Sequence, residues 1–298
     1  MSARLPAAPS EAIRRDRPIA FDFEGRRVKA FEGDTVGSAL AAADVTITSR
    51  SFKYHRPRGL LCMTGSCANC LMQIDGVPNV RACVEPVREG VRVERQNAWP
   101  SVDHDVHGWL NTFSFMMPPG FYYKVFHRPR WAWEMVEPLI RSKAGLGQVP
   151  AEEDHEPREV VDRHVDVLVI GGGPAGLAAA AETAAAGAST LVLEEREEAG
   201  PADLLAAATG AGASILTGTP AWGVFDGPLV TAANRDSLYR IRPMHVVFAT
   251  GAIEQSAVFP GNDLPGVMLA SAVDALVGRF RVLPGRVLRV PAGGGRSR

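Results

Sequence analysis

The stretch Cys62-Met-Thr-Gly-Ser-Cys67-Ala-Asn-Cys70 is the most informative part of the chain, and together with Cys83 it contains all four cysteines of the 298-residue sequence. The spacing is C-x4-C-x2-C, with the fourth cysteine after twelve further residues. Three cysteines at this spacing fit the loop that wraps a plant-type 2Fe–2S cluster, whose fourth thiolate comes from a later part of the chain. Backbone N–H groups of such a loop can donate hydrogen bonds to the sulfurs. We therefore predict that Cys62, Cys67, Cys70 and Cys83 are the ligands of a 2Fe–2S cluster.

Other uses of the cysteines stay open at this stage. Disulfide bonds need an oxidising compartment, and nothing in the sequence indicates export. A redox pair of Cys67 and Cys70 would leave Cys62 and Cys83 without a role. A structural zinc site usually joins two C-x2-C-like pairs, whereas three of these cysteines lie within nine residues. Zinc is therefore the main alternative to the iron–sulfur cluster.

The composition indicates an ordinary globular protein of about two domains. Hydrophobic residues make up 46% and charged residues 22% of the chain, and the formal net charge is −1. No global charge therefore favours nucleic acid or an anionic membrane as a partner. No apolar run approaches the roughly 20 residues that span a bilayer. Residues 1–18 contain arginines but no apolar core of a signal peptide, so we expect a cytoplasmic protein.

The residues around the cysteine loop predict a small α+β domain. Alternating apolar residues indicate two β-hairpins and a closing strand, and a short helix with one apolar face precedes the cysteines, with Asp34 as its N-cap. The predicted strands are Ile19–Phe23, Val28–Phe31, Leu71–Ile74, Val77–Val80 and Val91–Glu94, and the predicted helix is Thr35–Ala43. Hairpin, helix and cysteine loop follow one another in the order found in a β-grasp ferredoxin.

A second motif follows the apolar run Val165–Ile170, which predicts a buried strand. Gly171, Gly173 and Gly176 form a G-x-G-x-x-G pattern that opens a helix, and the next strand ends at Glu194. Between strand and helix this pattern is a dinucleotide-binding fingerprint, because the glycines admit a pyrophosphate at the helix N-terminus and the acid holds the ribose hydroxyls. The acid would repel a 2′-phosphate, so NADP is disfavoured. A unit that keeps the fold and binds nothing stays open.

These motifs predict four segments. We expect a disordered lead-in over residues 1–17, a 2Fe–2S ferredoxin-like domain over 18–98, an aromatic connector and linker over 99–163, and a Rossmann-like domain over 164–298. The connector holds four of the five tryptophans. The predicted fold class is α/β with an α+β N-terminal module, in which a β-grasp ferredoxin-like domain precedes an incomplete Rossmann-like FAD/NAD-binding domain.

Several stretches together resemble the α subunit of heteromeric sarcosine oxidase and the related amino-acid dehydrogenases and cyanide synthases. They are Ser51–Gly59, Met117–Lys124, the Gly171 fingerprint, Ala249–Glu254 and Phe259–Met268. The resemblance covers residues 18–298. Some members of that superfamily keep the cluster cysteines and others have lost them, and this chain is similar to the cluster-bearing type.

The resemblance implies cofactors, partners and a reaction class. It implies that the ADP half of FAD or NAD is held at the Gly171 loop. The nucleotide-binding residues that we predict are Gly171, Gly173, Pro174, Ala175, Gly176, Glu194, Glu195, Thr250 and Gly251. It also implies a hetero-oligomer in which a flavin, on a partner subunit or on a complete version of this one, oxidises an amine or amino acid of the sarcosine or proline kind, and the cluster carries the electrons away. Neither histidines nor carboxylates form a constellation that suggests a catalytic base, so the catalytic residues stay unknown.

Two rival functions stay open. One is an NADH-dependent reductase that passes electrons through a flavin to the cluster, and the other is a non-catalytic electron carrier. Members of the resembled family continue with a second nucleotide-binding domain. Here a strand and a glycine loop begin within 285–295 and the sequence ends at Arg298, so we expect a truncated domain.

Overall fold

The computed structural model of the protein describes residues 4–116, 120, 128–144, 147 and 158–285. The chain divides into two compact units: the first is Met1–Glu152 together with Glu254–Arg298, and the second is Glu153–Ile253. This division differs from the single domain predicted over 164–298. The chain rejoins the first unit at Glu254 because the following residues bury apolar side chains in the core of that unit. The predicted strand and glycine loop within 285–295 lie almost wholly outside the described residues.

A five-stranded mixed sheet forms the base of the first unit. The strands of this unit are β1 Arg14–Phe23, β2 Arg26–Glu32, β3 Ser49–Arg50, β4 Pro57–Arg58, β5 Leu71–Ile74, β6 Val77–Arg81 and β7 Arg92–Arg95. The sheet order is β2-β1-β7-β5-β6; β1 and β7 run parallel at its centre, and the other neighbours are antiparallel. β3 and β4 form a separate two-stranded ladder. Both predicted hairpins are confirmed, and the sheet has the predicted β-grasp arrangement.

The helix α1, Val36–Ala42, begins one residue later than predicted. Its N-cap is Thr35 and not the predicted Asp34: the Thr35 hydroxyl accepts a hydrogen bond from the Ser38 backbone N–H, and the Ser38 hydroxyl accepts one from the Thr35 N–H. This reciprocal pair is a capping box. Asp34 is buried beside it, where its carboxylate accepts hydrogen bonds from the Ser38 hydroxyl and from Arg4.

The predicted disordered lead-in is wrong for the residues that the structure describes. β1 already begins at Arg14, and Ile13 is buried in the core. Further upstream, the Leu5 N–H donates to the Arg281 carbonyl oxygen at 2.6 Å, and Arg4 forms an ion pair with Asp34 at 2.6 Å. The sequence does not predict that these residues are ordered, because their contact partners lie about 30 and 280 residues away in the chain.

Short helical elements complete the first unit. They are two 3₁₀ turns, Val106–Asn111 and Ser114–Met116, the helix α2 Arg130–Ala144, the helix α5 Ala270–Asp274 and a π-helical turn Ala275–Arg279. The predicted aromatic connector is largely exposed where the structure describes it, as at Phe115 and Trp131. Most of Met117–Lys124, one of the stretches that carries the family resemblance, lies outside the described residues.

The second unit is a six-stranded sheet with helices. Its strands are β8 Glu159–Ile170, β9 Thr190–Leu193, β10 Ser214–Leu216, β11 Ala221–Phe225, β12 Leu229–Ala233 and β13 Ser237–Phe248, and its helices are α3 Pro174–Ala185 and α4 Ala202–Gly210. The order is β10-β9-β8-β13-β12-β11, and the first four strands of that order run parallel. This is a Rossmann-like arrangement extended by an antiparallel pair. β8 begins within the predicted linker, and β12 and α4 are elements that the sequence did not predict.

Candidate functional site

The four cysteines come together at one place in the first unit. Cys62, Cys70 and Cys83 are buried, and Cys67 is half-buried. The Cys62 thiol lies within hydrogen-bonding reach of Cys67 and Cys83, and Cys70 is in reach of Cys83. None of the four forms a disulfide. The fold therefore brings together all the residues that the spacing selects, including the one that is distant in sequence.

The shared hydrogen bonds shift the pKa values of the thiols in opposite directions. Hydrogen bonding with the Cys67 thiol lowers the pKa of Cys62, and the same contact raises the pKa of Cys67. Likewise, the contact with Cys83 lowers the pKa of Cys70, and contact with Cys62 raises the pKa of Cys83. Four thiols that compete for protons in this way are suited to a metal, because metal binding releases the protons that a thiolate ligand must lose.

The spacing of the sulfurs favours a two-metal cluster over a single zinc ion. A tetrahedral zinc with four thiolates at about 2.3 Å would hold all its sulfurs about 3.8 Å apart. Among the residues that the structure describes, no three cysteine sulfurs all lie within 4.8 Å of one another, although they are in contact pair by pair. The contacts run in a chain from Cys67 through Cys62 and Cys83 to Cys70, which supplies the four thiolates that two neighbouring irons need.

The cysteine loop directs backbone N–H groups at the sulfurs. The Thr64 N–H points to Cys62 and the Asn69 N–H to Cys67. Such donors stabilise negative charge on a thiolate or on a reduced cluster. The loop achieves this curvature with positive φ at Met63 (53°) and at Gly65 (73°), and the latter is the glycine conformation expected from the sequence.

Cys83 is placed by the start of α1. The Gly37 N–H donates to the Ala82 carbonyl oxygen at 2.7 Å, and the Val36 N–H donates to Glu85 at 2.9 Å, so the helix N-terminus holds the segment on both sides of Cys83. A Cβ at Gly37 would lie 3.0 Å from the Cys83 Cα. Sequence reasoning missed Gly37, because a glycine inside a short helix gives no signal of what it faces.

A second group of possible ligands is His55, Asp105 and His107, whose ligand atoms all lie within 4.8 Å of one another. The His107 Nδ1 lies 3.4 Å from the buried Asp105 carboxylate, and the His55 Nδ1 lies 2.7 Å from the same carboxylate. Asp105 also caps the 3₁₀ turn by accepting from the His107 N–H. Burial alone would raise the pKa of Asp105, but hydrogen bonds from the Trp99 N–H and from His55 hold that pKa below its ordinary value.

In the second unit, the glycines of the fingerprint have distinct steric roles. Gly171 adopts φ 105°, and a Cβ there would collide with the Ala249 carbonyl oxygen. A Cβ at Gly176 would collide with the Gly171 carbonyl oxygen, so this glycine allows the helix to pack closely. At Gly173 a Cβ would meet nothing within 4 Å, so the loop is open on this side. Gly173 is also the N-cap of α3 and has no side-chain cap, so the N–H groups at the helix start stay available for a phosphate.

The remaining predicted nucleotide residues flank this loop. Pro174 and Ala175 form the first turn of α3; Ala175 can donate its backbone N–H, whereas Pro174 has no N–H and sets the φ angle of the helix start. Glu194 is buried at the end of β9, where its carboxylate accepts from the Gly172 N–H at 2.7 Å and from the Arg196 N–H at 2.9 Å. A carboxylate has about four lone-pair sites, so two remain for ribose hydroxyls.

Three predicted residues have less support in the geometry. Glu195 is exposed, whereas its neighbour Glu194 is buried against the loop. Thr250 and Gly251 follow β13 and are exposed, and Gly251 adopts φ 71°. The preceding Ala249 N–H donates to the Ile170 carbonyl oxygen, so Thr250 and Gly251 leave the sheet at the same edge as the glycine loop. Ligands of parallel sheets bind at this edge.

Comparisons with known proteins agree with these two sites. Residues 16–98 match the family described as "2Fe-2S iron-sulfur cluster binding domain", and residues 166–202 match "FAD dependent oxidoreductase". Among proteins of known function, the sarcosine oxidase α subunit of Rhizobium meliloti (strain 1021) is 37% identical over 96% of this chain and 32% of its own length. Subunit HcnA of the hydrogen cyanide synthase of Pseudomonas aeruginosa is 38% identical over 26% of this chain and 75% of its own length.

A solved structure also resembles the whole chain. L-proline dehydrogenase from P. horikoshii matches 92% of this chain and 49% of its own, with a TM-score of 0.62 and 25% identity. No helix among the described residues has the length and apolar character to cross a membrane. The chain spans about a third of the length of the sarcosine oxidase α subunits that it matches. Over its own length, the protein is a homologue of the α subunits of sarcosine oxidase, and its own residues match a 2Fe–2S domain followed by part of an FAD-dependent oxidoreductase.

Proposed function

We propose that this chain is the electron-transferring part of an iron–sulfur flavoprotein oxidoreductase that oxidises an amine or amino acid. The observation that carries the proposal is the convergence of Cys62, Cys67, Cys70 and Cys83 at pairwise contact in a spacing that suits two irons. These four residues are the proposed cluster ligands. A 2Fe–2S cluster accepts and releases single electrons, which suits it to divide the electron pair from a flavin between one-electron steps.

The protein's own part is to hold and shield the cluster. Apolar residues such as Leu60 and Met63 belong to the same buried core as the cysteines and keep water from one side. The N–H groups of Thr64 and Asn69 point to the sulfurs and favour the reduced state. Cys67 is half-buried, so this edge of the site faces solvent, and we propose that electrons leave or enter there.

We propose that FAD binds at the Gly171 loop, with the pyrophosphate over Gly173 and the N-terminus of α3 and the ribose on Glu194. The open side of Gly173 and the uncapped helix support this placement. Pro174, Ala175, Gly176, Thr250 and Gly251 complete the proposed site, and Glu195 is its outermost member. The buried acid disfavours a 2′-phosphate, and therefore NADP.

The relatives are named as subunits, which supports a hetero-oligomer. Sarcosine and L-proline appear in the names of the relatives, and both are secondary amines with a carboxylate. We therefore propose a substrate of that class, oxidised on a flavin-containing partner subunit. The cytoplasm, where thiolates stay reduced, is the proposed location.

The cluster is tested on the full chain purified without oxygen. We expect about two irons and two acid-labile sulfides per chain, and an electron paramagnetic resonance signal after one-electron reduction. Cys83→Ser should lower the cluster content, whereas Ser66→Ala, in the same loop but outside the ligand set, should leave it unchanged. A wild-type chain that binds one zinc ion and no sulfide would contradict the proposal.

The nucleotide site is tested with a matched pair of glycine variants. Gly173→Ala places a methyl group in open space, so the unit should fold and bind FAD about tenfold or more weakly. Gly176→Ala creates a collision with the Gly171 carbonyl oxygen, so the second unit itself should unfold more easily. Binding is followed by quenching of flavin fluorescence. Equal FAD affinity in Gly173→Ala and wild type would refute the placement of the pyrophosphate, and rapid bleaching by NADH would favour a nicotinamide-dependent reductase.

A further inference from the structure

The segment Glu254–Gly285, here called the return segment, contributes to the core that surrounds the cysteines. Ala272, Leu276, Phe280 and Val282 are buried in the same apolar cluster as Cys62, Cys70 and Cys83. The return segment follows the second unit in the chain and lies outside residues 16–98, which match the 2Fe–2S family. The environment of the cysteines is therefore completed by residues about 200 positions further along the chain.

A partly buried ion pair joins the return segment to the loop before the cysteines. The Arg58 Nη1 donates to the Asp263 carboxylate at 2.6 Å and to the Asp263 backbone carbonyl at 2.8 Å. Arg56 contacts the same carboxylate at 3.2 Å. Burial alone would raise the pKa of Asp263, but the hydrogen bond from Arg58 holds that pKa below its ordinary value, so the carboxylate stays charged. The basic stretch Ser51–Gly59 is thus partly neutralised from within the unit.

Two further contacts lead from this ion pair to the first cluster ligand. The Leu269 N–H donates to the Leu61 carbonyl oxygen at 2.9 Å, directly before Cys62. At Gly59 a Cβ would lie 3.3 Å from Pro265, so the chain between Arg58 and Cys62 runs tightly against the return segment. The backbone that carries Cys62 is therefore held at Arg58 and again at Leu61, in both cases by the return segment.

We propose that the return segment is part of the cluster-binding unit, and that the Arg58–Asp263 pair is a positioning contact that sets how firmly Cys62 holds the cluster. This inference rests on the proposed cluster function. It assigns a cluster-holding role to residues outside the matched 2Fe–2S region. Loss of the pair leaves Arg58 without its partly buried counter-charge and loosens the Cys62 end of the loop.

The test compares Asp263→Asn with Asp274→Asn in the full chain. Both remove one carboxylate from the return segment, but Asp274 is exposed and makes no ion pair that the described residues show. After anaerobic cluster assembly, the loss of cluster absorbance to an iron chelator is timed, and the electron paramagnetic resonance spectrum is recorded. We expect Asp263→Asn to lose the cluster about tenfold faster with a shifted spectrum, Asp263→Glu to recover most of the lifetime, and Asp274→Asn to match wild type.

A second pair of variants tests the apolar contacts of the return segment. Leu276→Ala, in the buried core, should also shorten the lifetime of the cluster, whereas Leu264→Ala, at an exposed position of the same segment, should not. Urea unfolding identifies any variant that loses its cluster because it has unfolded. If wild type assembles the cluster and Asp263→Asn keeps it as long with the same spectrum, the positioning role is refuted while the cluster function stands. If wild type assembles no cluster, the proposed function and this inference both fail.

Discussion

Gly37→Ala is the sharpest test of how the fold places the fourth cysteine. In an open helix this change stabilises by up to about 1 kcal/mol, because alanine loses less conformational entropy. At Gly37 the new Cβ would lie 3.0 Å from the Cys83 Cα, 3.0 Å from the Leu60 side chain and 3.1 Å from the Ala82 carbonyl oxygen. Two of these atoms are backbone and cannot move away by changing a rotamer. Overpacking of this kind costs about 1–3 kcal/mol, so after subtraction of the gain of about 1 kcal/mol the net expectation is a loss of about 0–2 kcal/mol.

The measurement is urea unfolding followed by tryptophan fluorescence, together with iron content. Four of the five tryptophans lie within residues 99–133 and therefore report mainly on the first unit. The matched control is Gly278→Ala, in the same unit, where a Cβ meets nothing within 4 Å and a small gain is expected. We also expect Gly37→Ala to bind less iron, because the displaced Cys83 sulfur would no longer meet the other three thiols. If Gly37→Ala is as stable as Gly278→Ala and carries a full cluster, the proposed role of α1 is refuted.

Two further predictions concern charged groups of the first unit. The Arg95 side chain is largely buried and contacts both Glu24 and Asp103 at 2.8 Å, so Arg95→Ala should lower the free energy of unfolding by about 1–3 kcal/mol. The exposed neighbour Arg92 is the control, and an equal loss in Arg92→Ala would contradict this reasoning. Hydrogen bonds from backbone N–H groups and a histidine outweigh burial and keep the pKa of Asp105 low. Its contribution to stability is therefore complete above about pH 3.9, the ordinary pKa, and is lost as the pH falls through the lower folded-state pKa. In a series of urea titrations from pH 7 to pH 3, Asp105→Asn should therefore lose less free energy of unfolding at low pH than wild type does. An equal loss in both proteins would contradict this prediction.

Much of the local structure could be predicted from the sequence. The hairpins around Leu71–Ile74 and the strand before Gly171 follow from periodicity and glycine position, because these signals act between residues close in the chain. The N-cap was predicted one residue too early, since Asp34 and Thr35 are both good caps and the choice depends on the partners that Asp34 finds elsewhere. β12 and α4 were missed because their residues show little amphipathic contrast.

The sequence by itself determined which residues could form the two sites. Four cysteines at that spacing predict an iron–sulfur cluster, with zinc as the alternative, and three glycines between strand and helix predict a dinucleotide site, because ligand number and backbone freedom are properties of residue type and order. Only the tertiary structure decided what surrounds them. It placed Gly37 against Cys83, set Asp263 on Arg58, and returned Glu254–Gly285 to the first unit. These contacts join residues tens to hundreds of positions apart, and such pairings depend on how whole surfaces bury one another, which no local pattern encodes.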